Sequence, residues 1–453
     1  MNMNNKNDTR NSKEEKSRMS RRTFLRLGLA GGGALVLGTA GALANADRLQ
    51  QIWGQAEVEP DASPSALVVN GTSIRLGATD GYIRLPADPS EYPAGFREVY
   101  VFGFVDMSTS DSINEAINTH KGLVQHSAPI IDVLEGDDVF VTLTNLGLVV
   151  RPDLDDAHTI HWHGFRNPVS VFDGVPETSI SVPVGRNFPY FYKPLNPGTF
   201  MYHCHFEDTE HVQMGMDGVV FVRPIQNATG YPATGSNPGG GPGKYLYNDG
   251  DGSTAYDREY CLLLNEVDTR PHDNLENVQE FVWSDYKPNY WVINGRSYPD
   301  TIKPNIHPFL PHQPISSLIQ ANPGEKIALR LAHLGYEQHT MQMAGIPMKV
   351  VGHDAALLRN GSGVNMVDLS YYTNSIYIGP GEARDIIFEA PAFDPSAVAG
   401  TDTVGDYNVY TFKNRSFQKL NNNGYAPGMG GMMTEVRVYD DLLPDQSTPN
   451  QTF

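Results

Sequence analysis

The stretch Tyr202-His-Cys-His-Phe-Glu-Asp-Thr-Glu-His-Val-Gln-Met-Gly-Met216 decides how the fold of this chain is interpreted. It places a thiol, three imidazoles and the thioether of Met216 within fifteen residues. Upstream, His158-Thr-Ile-His161-Trp-His163-Gly164 adds three more imidazoles, two of them at alternate positions. Two imidazoles, one thiolate and a weak axial methionine are the donors of a blue, electron-transferring copper. The two motifs therefore predict redox chemistry.

The alternation of side chains along a strand predicts two neighbouring metal sites. His161 and His163 point to the same face, and His203 and His205 share the face opposite Cys204. Cys204 can thus bind one metal while its neighbours bind another. The predicted blue-copper ligands are His158, Cys204, His211 and Met216. The predicted ligands of the second site are His161, His163, His203 and His205, which together with Cys204 form the predicted catalytic set. Zinc is disfavoured because Met216 is a soft donor.

Composition limits the classes of partner. The 453 residues suffice for two domains, and the formal net charge is −19. Residues 47–453 carry 25 Lys/Arg against 49 Asp/Glu, or −24. This acidity argues against nucleic acid as a partner and favours cationic or neutral ones, although solubility alone also explains it. Of the two cysteines, Cys261 lies in an apolar strand pattern and is not expected to form a disulfide with Cys204.

The N-terminus predicts export. Paired arginines at Arg21 and Arg22 precede a Gly/Ala/Leu run that ends in Ala42-Leu-Ala44, which is typical of a twin-arginine signal. We assign it to residues 1–46 and expect a periplasmic, cell-surface or extracellular protein. The alternative is an uncleaved anchor, but the glycines make the run a poor membrane span.

The rest of the chain predicts an all-β fold made of two similar Greek-key sandwiches. Short alternating runs replace long helical periods, and residues 136–147 match residues 324–335 in pattern and length. Each half ends in a Gly-Met segment and a valine-rich strand. The predicted units are a first domain at 60–225, a Gly/Pro-rich linker at 226–258 and a second domain at 259–440.

The motif His-x-x-His-x-His-Gly followed by Tyr-His-Cys-His and a later His-x4-Met resembles those of multicopper oxidases. The resemblance implies cupredoxin domains, a type 1 copper in the first of them, additional type 2 or type 3 copper, and an electron donor that is a small molecule, a metal ion or a redox protein. The resemblance also implies a homotrimer, because two-domain members of that family assemble in this way. Copper nitrite reductases are related, but they lack a histidine after the cysteine and carry a carboxylate near the position of His161. The gap from Cys204 to His211 is two residues longer than in laccase-type motifs.

The second half lacks the matching ligands. The repeat aligns Gln342 and Ala344 with His161 and His163. It aligns Thr411, Phe412 and Lys413 approximately with His203, Cys204 and His205. Isolated donors that remain are His307, His312, His333, His339 and His353, of which His339 matches His158 in the repeat. Methionines that could hold Cu(I), although such residues more often fill cores, are Met341, Met343, Met348, Met429, Met432 and Met433.

The sequence therefore predicts an exported copper oxidoreductase that takes electrons at a type 1 copper and passes them through Cys204 to a histidine-bound copper. Two alternatives stay open. One is an oligomer that resembles nitrite reductase, and the other is a non-catalytic electron-transfer protein. They differ in what the second site holds.

Overall fold

The computed structural model describes residues 67–110, 112–234, 237–361, 366–425, 429–440 and 443–453. The predicted export signal at 1–46 lies outside these ranges. No helix in the described ranges is long and apolar enough to cross a membrane.

The first sandwich packs two sheets around a core that includes Phe104, Trp162 and Tyr202. Its strands are β1 (Val68–Asn70), β2 (Ser73–Pro86), β3 (Phe96–Asp106), β4 (Ile130–Leu134), β5 (Val139–Asn145), β6 (His161–His163), β7 (Asn187–Tyr192), β8 (Gly198–His203) and β9 (Asp217–Arg223). Helix α1 (Ile113–His120) follows β3, helix α2 (Asp208–Met214) joins β8 to β9, and a 3₁₀ turn spans Ser170–Phe172. One sheet has the order β3-β2-β5-β7 and the other β1-β4-β9-β8-β6.

The second sandwich has its own core, which includes Leu262, Leu329 and Phe412. It is preceded by helix α3 (Gln226–Thr229) and contains helix α4 (Thr269–Glu276) and 3₁₀ turns at Trp283–Asp285, Asp300–Ile302 and Phe417–Lys419. Its strands are β10 (Arg258–Val267), β11 (Tyr290–Ile293), β12 (Ile319–Ala321), β13 (Lys326–His333), β14 (His339–Met343), β15 (Met348–His353), β16 (Ala356–Leu357), β17 (Arg359–Asn360), β18 (Val367–Asp368), β19 (Tyr371–Thr373), β20 (Ser375–Ile378), β21 (Ala383–Glu389), β22 (Gly400–Thr401), β23 (Asp406–Asn414) and β24 (Met433–Tyr439).

The two sandwiches have matching topologies. The order β3-β2-β5-β7 corresponds to β11-β10-β13-β21, and β4-β9-β8-β6 corresponds to β12-β24-β23-β14. The directions agree as well, since β2 runs parallel to β5 and β10 runs parallel to β13. The predicted all-β fold with a duplicated sandwich is confirmed, whereas the exact domain boundaries stay predictions.

The predicted linker packs against the second sandwich over part of its length. Leu246, Tyr247 and Tyr256 are buried with Ala328 and Ile387 in one apolar cluster. Glycines and aspartates in this segment form turns, as where Asp249 accepts the Gly252 N–H (2.8 Å). The segment is therefore not a flexible linker over this part.

The sandwiches share a buried contact surface. Apolar side chains from both halves form one cluster around Met201, Phe221, Leu263 and Ala332. Because β8 contributes to this cluster through Met201, the strand that leads to Cys204 is anchored from both sides.

Candidate metal centre

Three predicted ligands meet in the core of the first sandwich. The Cys204 sulfur lies 3.3 Å from Nδ1 of His211 and 3.9 Å from Nδ1 of His158. Cys204 follows β8, His211 lies in α2, and His158 pairs with Val182 just before β6. All three are buried, and their ligand atoms lie within 4.8 Å of one another.

Backbone hydrogen bonds hold Met216 at the same place. The Cys204 N–H donates to the Met216 carbonyl (3.1 Å), and the Met216 N–H donates to the His211 carbonyl (3.0 Å). Gly215 between them has φ +112°, a conformation that favours glycine. The Met216 side chain is fully buried. All four residues of the predicted blue-copper set are thus brought together.

The electrostatics of this group suit a soft transition metal. Burial lowers the pKa of His158 well below its usual value and that of His211 to about 4, so both rings are neutral near pH 7. Burial raises the pKa of the Cys204 thiol to about 11, and a bound metal would deprotonate it. The Thr159 N–H points at the sulfur at 3.4 Å. Two neutral imidazoles, a thiol and a thioether fit copper.

The other four histidines form a second group beside the first. His161 on β6 lies opposite His203 on β8. The ring centre of His161 lies 5.3 Å from that of His203, 5.2 Å from that of His205 and 6.1 Å from that of His163. The sheet register therefore gathers four imidazoles that the sequence assigned to one site.

The outer ring nitrogens of two of these histidines are held by carbonyls. His161 Nδ1 donates to the Asp173 carbonyl (2.6 Å), and His203 Nδ1 donates to the Cys204 carbonyl (2.8 Å). Each bond fixes the tautomer that leaves Nε2 free as a ligand. Burial lowers the pKa of His203 to about 3 and also lowers those of His161 and His163. The group fits a metal that prefers neutral nitrogen donors.

The second sandwich covers this group with residues other than histidine. A Cβ atom on Gly381 would lie only 2.7 Å from Nε2 of His163. Although burial lowers the pKa of His163 most strongly, the negative charge of Asp354 counteracts part of that effect. Among the described residues, the donors that cluster with His161, His163 and His203 include none from the second sandwich.

Comparisons with known proteins show similarity to multicopper oxidases. A sequence model described as multicopper oxidase matches residues 118–227. Copper resistance protein A of Pseudomonas syringae pv. tomato is 25% identical over 442 residues, covering 91% of this chain and 56% of that protein. The chain is similar to multicopper oxidases, and the family's own model is confined to residues 118–227. The chain spans about half the length of this curated relative.

Solved structures support the fold of this chain. The blue copper oxidase from Nitrosomonas europaea is similar with a TM-score of 0.54 at 23% identity, covering 81% of this chain and 85% of that one. Multicopper oxidase mgLAC is similar with a TM-score of 0.53 at 22% identity, covering 83% and 88%. Copper is the cofactor of the family, and the two donor groups described above fit it.

The five isolated histidines of the second half have other positions. His339 and His333 cluster with Glu266 inside the second sandwich. His353 Nε2 lies 3.2 Å from the Tyr371 hydroxyl, and His312 Nδ1 donates to a backbone carbonyl. His307 Nδ1 accepts a backbone N–H. The structure brings none of these five described residues into the four-histidine group. Of the six methionines considered above as possible Cu(I) ligands, all but the exposed Met429 are buried.

The predicted alignment of the last ligand segment is wrong by two residues. Gln342 on β14 lies opposite Lys413 on β23, just as His161 lies opposite His203. The residues that match His203, Cys204 and His205 are therefore Lys413, Asn414 and Arg415, not Thr411, Phe412 and Lys413. Strand pairing sets this register, and the sequence offers no metal ligand to mark it.

Two acidic residues near the first group escaped the sequence analysis. A carboxylate oxygen of Asp156 lies 4.0 Å from Nε2 of His211, and Glu210 clusters with both. Within the described part of the chain, this buried Nε2 has no hydrogen-bond partner. Burial and neighbouring carboxylates raise the pKa of Asp156 and bring that of Glu210 to about 7. Their signal in the sequence is the aspartate pair just before His158 and the acidic residues inside the Tyr202–Met216 stretch.

Proposed function

We propose that this protein is an exported, copper-dependent oxidoreductase of the multicopper oxidase type. The observation that carries the proposal is the position of Cys204 between two donor groups. Its sulfur faces His158 and His211, and its chain neighbours His203 and His205 belong to the other group. A single residue thus joins the two sites.

The first donor group would hold a type 1 copper through His158, Cys204, His211 and Met216. Copper bound there supplies one-electron oxidation and reduction. The protein's contribution is a dry, preformed pocket in which the imidazoles are already neutral. We propose His161, His163, His203 and His205 as ligands of type 2 or type 3 copper, with Cys204 and these four as the catalytic residues.

The chain offers two short connections between the sites. Peptide bonds link Cys204 directly to His203 and to His205. The His203 ring also donates a hydrogen bond to the Cys204 carbonyl (2.8 Å). We infer that electrons travel from the first site to the second along these bonds.

The acidic residues beside His211 suggest how a reductant approaches. His211 is fully buried, but its Nε2 points toward Asp156, whose side chain is 20% exposed. With the acidic charge of the chain, this arrangement favours a cationic or neutral donor over an anionic one. A small molecule, a metal ion and a redox protein all fit this description, and nucleic acid does not.

The acceptor depends on how many coppers the second site holds. An oxygen-reducing oxidase is the leading proposal. One alternative is a non-catalytic electron carrier, favoured because no described donor of the second sandwich clusters with His161, His163 and His203. A homotrimer and a nitrite-reductase-like site between subunits remain a further proposal, because a neighbouring subunit could complete the ligand set.

Copper content, oxygen uptake and nitrite turnover of the metal-loaded full chain would separate these functions. Three or four coppers per chain with oxygen uptake on a test reductant support the oxidase. One copper with blue colour and no turnover leaves the carrier, and two coppers with nitrite turnover select the reductase. Size measurement tests the trimer, and N-terminal sequencing of exported protein tests the signal.

Matched cysteine variants locate the blue site. Cys204→Ser should lose the blue absorption and all turnover while it retains copper on the four histidines. Cys261→Ser removes the other buried cysteine, which lies in β10 away from both groups, and should leave colour and turnover unchanged. Blue colour in folded Cys204→Ser would refute the assignment.

A further inference from the structure

The second sandwich repeats the backbone frame of the proposed type 1 site. The Asn414 N–H donates to the Met432 carbonyl (3.0 Å), and the Met432 N–H donates to the Lys419 carbonyl (3.0 Å). In the first sandwich the same two bonds connect Cys204, Met216 and His211 at 3.1 and 3.0 Å. Asn414, Lys419 and Met432 therefore stand where the thiolate, one imidazole and the thioether stand in the first site.

The fourth position retains its histidine. His339 opens β14 as His158 precedes β6, and the Asn414 amide donates to its Nδ1 (3.0 Å). The same amide approaches the Met432 sulfur at 3.5 Å. Gly431, with φ +66°, precedes this methionine as Gly215 precedes Met216. Two of the four original donor types are thus still present and still converge.

A buried carboxylate keeps His339 in the ligand tautomer. Its Nε2 donates to Glu266, whose carboxylate also accepts the Tyr336 N–H (2.7 Å). Nδ1 is consequently the acceptor nitrogen and points into the frame. This is the nitrogen that corresponds to the one His158 directs at Cys204.

The ammonium of Lys419 takes the remaining place. Its Nζ donates to His339 Nδ1 (3.3 Å) and to the Gln338 carbonyl (2.8 Å), and it pairs with Glu337 (2.8 Å). The Lys419 side chain is only 8% exposed. A positive charge this deeply buried is stable only when acceptors surround it. His339 of the frame supplies one of those acceptors, and the neighbouring Gln338 carbonyl and Glu337 supply the others.

We propose that the second sandwich contains a converted type 1 copper site in which the Lys419 ammonium replaces the metal cation. Asn414 replaces the thiolate and bridges His339 and Met432 by its amide. The site holds no copper in the natural protein, and two substitutions, Asn414→Cys and Lys419→His, restore a complete donor set. The proposal rests on the assignment of the first site as type 1 copper.

The test uses a background without the first blue site. In Cys204→Ser, the added pair N414C and K419H should bring back a blue absorption band and bind one more copper per chain than Cys204→Ser alone. A folded triple variant with neither gain would overturn the proposal. The visible spectrum of the copper-loaded wild-type chain tests the first-site assignment separately. If that assignment is wrong, the wild-type chain shows no blue colour.

A second variant decides the matter if the triple variant does not fold. Lys419→Met removes the internal cation and should lower the thermal midpoint clearly, with no gain in copper. Lys326→Met, at an exposed lysine at the start of β13, is the control and should change little. Equal midpoints for both lysine variants would refute the role of Lys419 as the cation of this site.

Discussion

Burial sets the protonation of single histidines in this protein, and His272 shows it away from the metal ligands. Its Nδ1 donates to the Tyr100 carbonyl (2.6 Å), and Gln213 of α2 donates to its Nε2 (3.2 Å). Burial lowers the pKa of His272 to about 4. The folded state therefore resists a proton that the unfolded chain accepts below about pH 6.5. Stability is lost as pH falls from that value towards 4.

We expect His272→Gln to weaken the acid sensitivity of the metal-free protein. At pH 4.5 the wild type should have lost on the order of 3 kcal/mol through this one group. Urea unfolding of both proteins at pH 7 and pH 4.5 measures the difference. His307→Gln, at a partly exposed loop position, serves as the control. A pH dependence unchanged by H272Q would contradict the assignment.

At the scale of elements, the turn from α2 into β9 positions the axial methionine. A Cβ on Gly215 would lie 2.6 Å from Nδ1 of His126 and 3.0 Å from the Phe102 carbonyl. Gly136 also has positive φ (+89°), but nothing lies within 4 Å of its Cβ position. Substitutions at the two glycines therefore distinguish the effect of backbone strain from the effect of close contact.

We expect Gly136→Ala to lose about 1 kcal/mol through strain alone. Gly215→Ala should lose about 1–3 kcal/mol more, because the methyl group forces neighbouring atoms to move. It should also shift the blue absorption of the copper-loaded protein, since Met216 follows directly. Denaturant unfolding and visible spectra test both effects. Equal losses in the two variants, with unchanged colour, would show that the contact does not matter.

The sequence predicted those elements in which metal-binding residue types recur at the two-residue period of a strand. His161 and His163 alternate along a strand, and both the position and the grouping of their rings were therefore predictable. Asn414 was not, because backbone pairing between β14 and β23 sets its position and no ligand marks it. Twelve positions separate Cys204 from Met216, but eighteen separate Asn414 from Met432. The length of such a loop follows no side-chain periodicity, so the sequence does not predict which methionine corresponds to Met216.

At the scale of the whole molecule, a buried ionic network joins the sandwiches. Arg330 of β13 is fully buried and bonds to Glu259 (3.0 Å) and to the Thr199 hydroxyl of β8 (3.0 Å). Arg223 of β9 reaches the same Glu259 carboxylate (2.7 Å). Burial alone would raise the pKa of Glu259, but the two arginines outweigh it and bring that pKa to about 2. The first sandwich thus stabilises a charge that belongs to the second.

We expect Arg330→Met to destabilise the protein by about 3–5 kcal/mol, because it removes one of the two arginines that neutralise the buried Glu259 carboxylate. The depressed pKa of Glu259 contributes stability above about pH 4.5 that is lost as pH falls towards 2, and R330M should reduce this acid-dependent part. Unfolding in denaturant at pH 7 and pH 3 measures both.

Arg437→Met is the control, since its partners Glu435 and Asp402 lie within the second sandwich. Because Arg330, unlike Arg437, bonds to residues of both sandwiches, R330M should also lower the cooperativity of unfolding. Equal losses and equal transition slopes in the two variants would mean that the network does not couple the sandwiches.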